Sequence, residues 1–157
     1  MIKKRSFLAS DEEARLLAAC TGKREYLRPM LVCLIDTGLR RSEMLALKWA
    51  DIDLDARLIT VRPEVDKVLR GRVVPISGRL NEELLKLRGK ANALGGFAFP
   101  QGDFRRAFYN VCRDAGIEGL RVADLRRIQD DERRGAEEQR QGKPGKLDDR
   151  KVTDQNG

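Results

Sequence analysis

Apolar residues recur at helical spacing in four parts of the chain, and these repeats predict its main helices. The predicted helices cover residues 10–20, 26–36, about 39–49 and 103–115, where apolar side chains return every three or four residues. Ser10, followed by Glu13, would cap the first helix through a capping box. Gly38 would end the second helix in the left-handed conformation. The pattern therefore indicates a mainly helical protein.

Alternating apolar and polar residues predict three short strands in the middle of the chain. They cover residues 57–62, 64–69 and 72–76, and Arg70-Gly71 would turn the chain between the last two. Pro75 places the last strand at an edge of the sheet, because proline has no N–H to donate. Ser77 or Asn81 would cap a helix that follows. We therefore expect an α+β fold, mainly α-helical, with a small three-stranded antiparallel sheet.

The composition changes after residue 127. The last thirty residues contain four apolar side chains, Ile128, Ala136, Leu147 and Val152, and no aromatic one. Such a segment buries too little apolar surface to offset the entropy lost on ordering. We predict a folded domain over residues 1–127 and a polar, largely disordered tail over residues 128–157.

The positive charge belongs to the part of the chain that should fold. The net charge is +7, while residues 127–157 contain eight basic and eight acidic side chains. This balance favours an anionic partner such as nucleic acid, although solubility alone could account for it. The chain has no histidine and its three cysteines lack CxxC spacing, so we expect no metal or other cofactor. No apolar run approaches about 18 residues, and we expect a cytoplasmic protein with no membrane segment.

Two adjacent arginines begin the predicted third helix. A cation at Arg40 or Arg41 is opposed by the positive end of the helix dipole, by about 0.3–1 kcal/mol. A bound phosphate would reverse this effect, because guanidinium and free N–H groups would then share one anion. The alternative is an ordinary ion pair within the helix between Arg40 and Glu43.

Two further basic clusters follow along the chain. They are Lys67, Arg70 and Arg72 in the predicted hairpin, and Arg121, Arg126 and Arg127 after the last helix. The hairpin cluster could contact the phosphates of a DNA backbone. It could equally protect an exposed strand edge from pairing with another chain. The last cluster by itself indicates no particular function.

Taken in order, the three clusters resemble the motifs of the tyrosine recombinases, the phage integrase family. Residues 37–53, which begin TGLRRSE, are similar to the first arginine box of that family. Residues 67–77 (KVLRGRVVPIS) are similar to its lysine hairpin, and residues 123–126 (ADLR) to its His-x-x-Arg box. The resemblance runs from about residue 7 to residue 127. It implies a DNA breaking-rejoining catalytic core that is incomplete at its C-terminal end.

The resemblance also implies a chemistry that needs no metal. In this family a tyrosine hydroxyl attacks a DNA phosphodiester and forms a 3′-phosphotyrosyl link. By position, Arg40 and Arg126 would hold the non-bridging oxygens of the scissile phosphate, and Lys67 would protonate the leaving 5′ oxygen. The partners implied are double-stranded DNA and other recombinase protomers. Further DNA contacts would come from Arg41, Arg70, Arg72 and Arg121.

The chain departs from the family pattern at three places that bear on activity. Ala123 stands where the box histidine belongs, Arg127 stands where a further histidine is usual, and no tyrosine follows Arg126. Tyr26 and Tyr109 match no catalytic position. We therefore expect a DNA-binding remnant of a recombinase, truncated or frameshifted, that does not cut DNA alone. The alternatives are a working non-catalytic DNA-binding or regulatory module on the same basic surface, and an enzyme that borrows its tyrosine from a partner chain.

Overall fold

A computed structural model describes residues 8–65, 70–89 and 96–126 of the chain. The helices are α1 (Ser10–Ala18), α2 (Leu27–Thr37), α3 (Arg41–Leu45), α4 (Gly78–Arg88) and α5 (Arg105–Asp114), and the strands are β1 (Ile52–Asp53), β2 (Leu58–Val61) and β3 (Arg72–Pro75). Single 3-10 turns form at Gly22–Arg24 and Trp49–Asp51, and residues 122–126 are helical. The predicted α+β architecture, mainly helical with a small antiparallel sheet, is confirmed. The predicted tail over residues 128–157 lies outside the described residues.

The predicted caps are confirmed at two helices and wrong at one. Gly38 ends α2 in the left-handed conformation, with φ of 69°. Ser77 caps α4, and its hydroxyl accepts a hydrogen bond from the N–H of Leu80 at 3.2 Å. Ser10, however, is already inside α1, and Ala9 takes the cap position. Glu12 supplies the carboxylate that accepts from the Ala9 N–H, at 3.4 Å.

The third helix is much shorter than the sequence predicts. It ends at Leu45 rather than near residue 49. After it, the N–H of Trp49 donates to Gly96 at 2.9 Å, and the carbonyl of Leu47 accepts from Ala98 at 3.0 Å. These bonds to a distant segment use backbone groups that a longer helix would have paired internally. The pattern of apolar residues could not show that competition.

The sheet has the predicted number of strands but not the predicted set. Its order is β1-β2-β3, antiparallel throughout, with Ile59 opposite Ile52 on one side and Val74 on the other. Residues 52–53, which none of the predicted strands covers, are β1. The strand predicted over residues 64–69 is wrong where the structure describes it, since residues 63–65 form a turn. Pro75 lies in the edge strand β3, as predicted.

Helix α2 forms the centre of the core. Nine of its eleven residues are buried, so it is covered on almost every side, and it packs against α1, α3 and α4. The largest fully buried side chains outside α2 include Leu16, Ile59, Phe99 and Phe108. This packing fixes the end of α2 and the turn at Gly38. Over the described part of the chain, no helix is both long enough and apolar enough to cross a membrane.

Two adjacent leucines of α4 provide a test of this packing. Leu84 is fully buried, whereas Leu85 is 52% exposed. We expect Leu84→Ala to lower the free energy of unfolding by about 2–5 kcal/mol, because it leaves a cavity in the core. The matched control Leu85→Ala should change it by less than about 1 kcal/mol. Urea unfolding measures both variants, and equal losses would contradict the observed face of α4.

Candidate functional site

A cleft of about 590 Å³ opens between the end of α2, the start of α3, α5 and residues 121–126. The arginines that line it are Arg40, Arg41, Arg105, Arg121 and Arg126, together with Leu34, Leu39, Tyr109, Val122 and Ala123. None of these described lining residues is acidic. Guanidinium groups that face a common space create a strongly positive potential there. The cleft is therefore suited to an anion with several oxygen acceptors.

Backbone contacts hold Arg40 at the N-terminal end of α3. It is the N-cap of the helix, in an extended conformation, and its N–H donates to Oε1 of Glu43 at 2.8 Å. Its Nη1 lies 3.5 Å from Oε2 of the same carboxylate, and the side chain remains 30% exposed. The ion pair considered from the sequence is thus present, but it is long. The guanidinium is left able to bind a ligand.

Glu43 is committed mainly to another arginine. Arg72 of β3 donates to both of its carboxylate oxygens, from Nη1 at 2.7 Å and from Nη2 at 2.8 Å. Burial of Glu43 favours its neutral form, but the hydrogen bonds from Arg72 and from the Arg40 N–H outweigh burial and lower the pKa of this carboxyl. The Arg72–Glu43 pair thus links β3 of the sheet to the first turn of α3. Arg72 thus has a structural partner here, and its contact with DNA stays a prediction.

Arg126, at the C-terminal end of the described residues, contacts the turn at Gly38 that precedes α3. Its Nε donates to the carbonyl of Gly38 at 2.8 Å. Gly38 stands two residues before Arg40, so one left-handed turn brings the two arginines to the same cleft. The structure brings to one cleft the two arginines that the resemblance assigns to one phosphate. Their catalytic role stays a prediction.

The segment that carries Arg126 begins with a cap of its own. Asp124 is fully buried, and its carboxylate accepts from the N–H of Arg121 at 2.9 Å and from its Nη2 at 3.4 Å. These bonds hold the first turn of the helical residues 122–126. Ala123, which lies between Arg121 and Asp124 in sequence, is exposed and lines the cleft. Its methyl group offers a ligand neither a proton donor nor an acceptor.

Two residues of α5 line the cleft and were missed by the sequence reasoning. Arg105 pairs with Asp103, from Nη2 at 2.8 Å, and its hydrogen bonds lower the pKa of Asp103 to about 2. Tyr109 is 49% exposed, and its ring lies 5.7 Å from that of Phe108 between centroids. Arg105 and Tyr109 are one turn apart on the polar side of an amphipathic helix. That spacing was the available signal, but it does not reveal what the polar side faces.

The other predicted residues lie elsewhere. Arg70 is exposed in the connection before β3 and does not line the cleft. Lys67 lies outside the described residues. In the described ranges, no cluster of three or more His, Cys, Asp or Glu side chains could hold a metal ion. Cys20 and Cys33 are buried, and burial raises the pKa of Cys20 to about 11 and that of Cys33 to about 12, which keeps both thiols protonated.

The helical fold and the arginine cleft together define a domain suited to binding phosphate. The phage integrase family model matches residues 6–129, and the chain belongs to this family. The match includes α1 to α5, the sheet and every arginine of the cleft.

Three similar proteins illustrate this relationship. Tyrosine recombinase XerA of Thermococcus kodakarensis is 40% identical over 77 residues, which are 49% of this chain and 27% of XerA. A crystal structure of XerA recombinase matches with a TM-score of 0.71 and 22% identity, over 84% of this chain and 51% of that one. The Tn1549 transposon integrase in complex with circular intermediate DNA matches with a TM-score of 0.66 and 16% identity, over 80% and 52% of the two chains. At these identities the solved structures show a shared fold. The chain spans about half of their length, or less.

The pH dependence of stability tests the role of Glu43. Because its pKa is lowered on folding, its contribution to stability is complete above about pH 4.3, the unfolded value, and is lost as the pH falls through the folded value. We expect Glu43→Gln to lower the free energy of unfolding at pH 7 by about 1–3 kcal/mol, since Arg72 loses its charged partner. The variant should also show a weaker loss of stability in acid.

A second glutamate serves as the matched control. Glu64 pairs with Arg62 at 3.3 Å, but its side chain is 64% exposed. Glu64→Gln should therefore cost less than about 1 kcal/mol and keep the acid dependence of the parent protein. Urea titrations of the three proteins between about pH 3 and pH 7 measure both effects. This range extends at least about 1 pH unit to either side of the pKa of an unfolded glutamate. An acid dependence of Glu43→Gln equal to that of the parent would contradict the assignment.

Proposed function

We propose that this chain is a DNA-binding protein of the tyrosine recombinase type, which holds a DNA phosphate between Arg40 and Arg126 and does not cut DNA by itself. The observation that carries the proposal is the convergence of these two arginines at the Gly38 turn, in a domain of the integrase family. The Tn1549 integrase, of similar fold, was solved with DNA, which supports DNA as the ligand. The similar proteins come from an archaeon and from bacteria, whose DNA lies in the cytoplasm, and the proposal places this protein there.

The cleft suits a phosphate for chemical reasons. A guanidinium presents its N–H groups in a planar fork that matches two phosphate oxygens, and it stays charged at any working pH. The ion pair with Glu43 at 3.5 Å orients the Arg40 side chain and the Gly38 carbonyl orients that of Arg126, which lowers the side-chain freedom lost on binding. Arg41 and Arg121 supply further positive charge at the edges of the cleft. Arg70 and Lys67 would extend the contact along the DNA backbone.

Cleavage requires groups that the cleft does not supply. The family reaction needs a tyrosine nucleophile, and the two tyrosines of this sequence, Tyr26 and Tyr109, match no catalytic position of the family. Ala123 cannot move a proton. Lys67 would still be able to protonate a leaving 5′ oxygen, but the attacking hydroxyl would have to come from another recombinase protomer. In this proposal residues 1–127 bind DNA, and residues 128–157 form a polar tail outside that binding unit.

Substitution of Arg40 tests the phosphate contact. Arg40→Ala keeps the backbone N–H that pairs with Glu43, so the cap of α3 survives while the guanidinium is lost. We expect DNA binding to weaken by about 1–3 kcal/mol, the cost of one charge-assisted hydrogen bond. The plot of log K against log salt should also become less steep, its negative slope decreasing in magnitude by about 0.9, because one phosphate contact is lost.

Arg113 is the matched control for this experiment. It lies on α5 with its side chain 72% exposed and does not line the cleft. Arg113→Ala removes the same charge from the protein, and its binding should remain within about threefold of the parent, a change below 1 kcal/mol. Fluorescence anisotropy of a labelled duplex over a salt series measures all three proteins. Equal affinities for Arg40→Ala and the parent would overturn the phosphate contact.

A nicked suicide substrate tests the absence of cleavage. We expect no covalent protein–DNA adduct after incubation with the chain alone, because neither tyrosine of this sequence, Tyr26 or Tyr109, matches the nucleophile position of the family. A full-length integrase that retains its tyrosine provides the positive control on a substrate of its own. Denaturing gel electrophoresis separates any adduct from free protein. An adduct that disappears in Tyr109→Phe would overturn the proposal and identify Tyr109 as the nucleophile.

A further inference from the structure

The cleft carries more positive charge than one internal phosphate neutralises. Five arginines line the cleft, and three carboxylates of the described residues pair with them, those of Glu43, Asp103 and Asp124. Glu43 is shared with Arg72, so the arginines of the described lining outnumber the carboxylates set against them. A phosphodiester within a DNA strand brings a single negative charge. The site is therefore electrostatically suited to an anion of higher charge.

The excess charge is concentrated at two of these arginines. Arg105 is closely paired with Asp103, with contacts of 2.8–3.1 Å. Arg40, in contrast, lies 3.5 Å from a carboxylate that Arg72 already occupies at 2.7 Å. Arg126 donates to a neutral carbonyl oxygen. Arg40 and Arg126 therefore retain most of their charge for a ligand.

The size and lining of the cleft favour one nucleotide over a length of duplex. Its volume of about 590 Å³ falls within the roughly 300–1,000 Å³ of pockets that bind small molecules. Tyr109 forms part of the wall, with an exposed ring and a hydroxyl that can donate to phosphate. Exposed aromatic rings beside basic groups commonly stack on single nucleobases. Val122 and Ala123 add small apolar surface to the lining.

We propose that this cleft binds a DNA end that carries a terminal phosphate, with the phosphate between Arg40 and Arg126 and the last nucleotide against Tyr109. A phosphate monoester bears about −1.5 to −2 charges at pH 7, so it neutralises the excess better than a diester. Its third free oxygen also gives the Tyr109 hydroxyl an acceptor. The inference rests on the proposed function for the choice of DNA as ligand and adds which phosphate is bound.

Duplexes of one sequence with different ends test this inference. We compare a closed dumbbell without ends, an open duplex with hydroxyl ends, and open duplexes with a 5′-phosphate or a 3′-phosphate. At least one phosphorylated duplex should bind about tenfold more tightly than the hydroxyl-ended one, or about 1.4 kcal/mol. Equal affinity for all four would overturn the inference and leave the proposed function intact. Failure to bind any of them would overturn both.

Two variants on α5 test the position of the nucleotide. Tyr109→Ala should weaken binding of the preferred phosphorylated duplex at least about threefold, the lower range of one lost stacking contact. Arg113→Ala, on the same helix but outside the cleft, should leave it unchanged. Equal binding by Tyr109→Ala and the parent would overturn the placement against Tyr109. Displacement of the duplex by an equal concentration of a nucleoside monophosphate would show a small-molecule site and would overturn the choice of a DNA end.

Discussion

The buried carboxylate of Glu43 is the interaction on which the rest of the site depends. A charged group without exposed surface is stable only when close partners satisfy it, and Arg72 and the N–H of Arg40 do so. Arg72 comes from the sheet and Arg40 from the turn before α3, so one carboxylate joins both. Because Arg72 takes both oxygens of Glu43, Arg40 is oriented without being neutralised. The same contact that stabilises the fold thus prepares a cation for a ligand.

The turn at Gly38 completes this arrangement. Its left-handed conformation, with φ of 69°, is one that glycine adopts without steric cost. The turn ends α2, directs Arg40 into the cleft and presents a carbonyl to Arg126. Two arginines that are 86 positions apart in sequence therefore meet through a single residue. The core around α2 fixes that residue, so the geometry of the cleft follows from the packing of the domain.

Local signals in the sequence predicted much of the fold. Gly38 and Ser77 marked helix ends correctly, and the alternation around Ile59 marked a strand, because each depends on a few adjacent residues. The errors arose where distant segments compete for the same groups. The early end of α3 depends on backbone bonds to residues 96–98, and the partner of Arg72 lies 29 residues away. For the site, the resemblance to the family motifs indicated Arg40 and Arg126, whereas Arg105 and Tyr109 join it only through the tertiary placement of α5.

Binding and cleavage make separate demands on this fold. The two arginines proposed to hold a phosphate also take part in the contacts of the fold, since Arg40 bonds to Glu43 and Arg126 to Gly38. A residue that transfers protons has no such role, because an exposed position such as Ala123 contributes little to packing. Arginine itself does not release a proton at working pH. The residue at the exposed position 123 can therefore change without disturbing the contacts that form the arginine cleft. This asymmetry allows the arginine cleft to coexist with an alanine at the position that the resemblance gives to the box histidine.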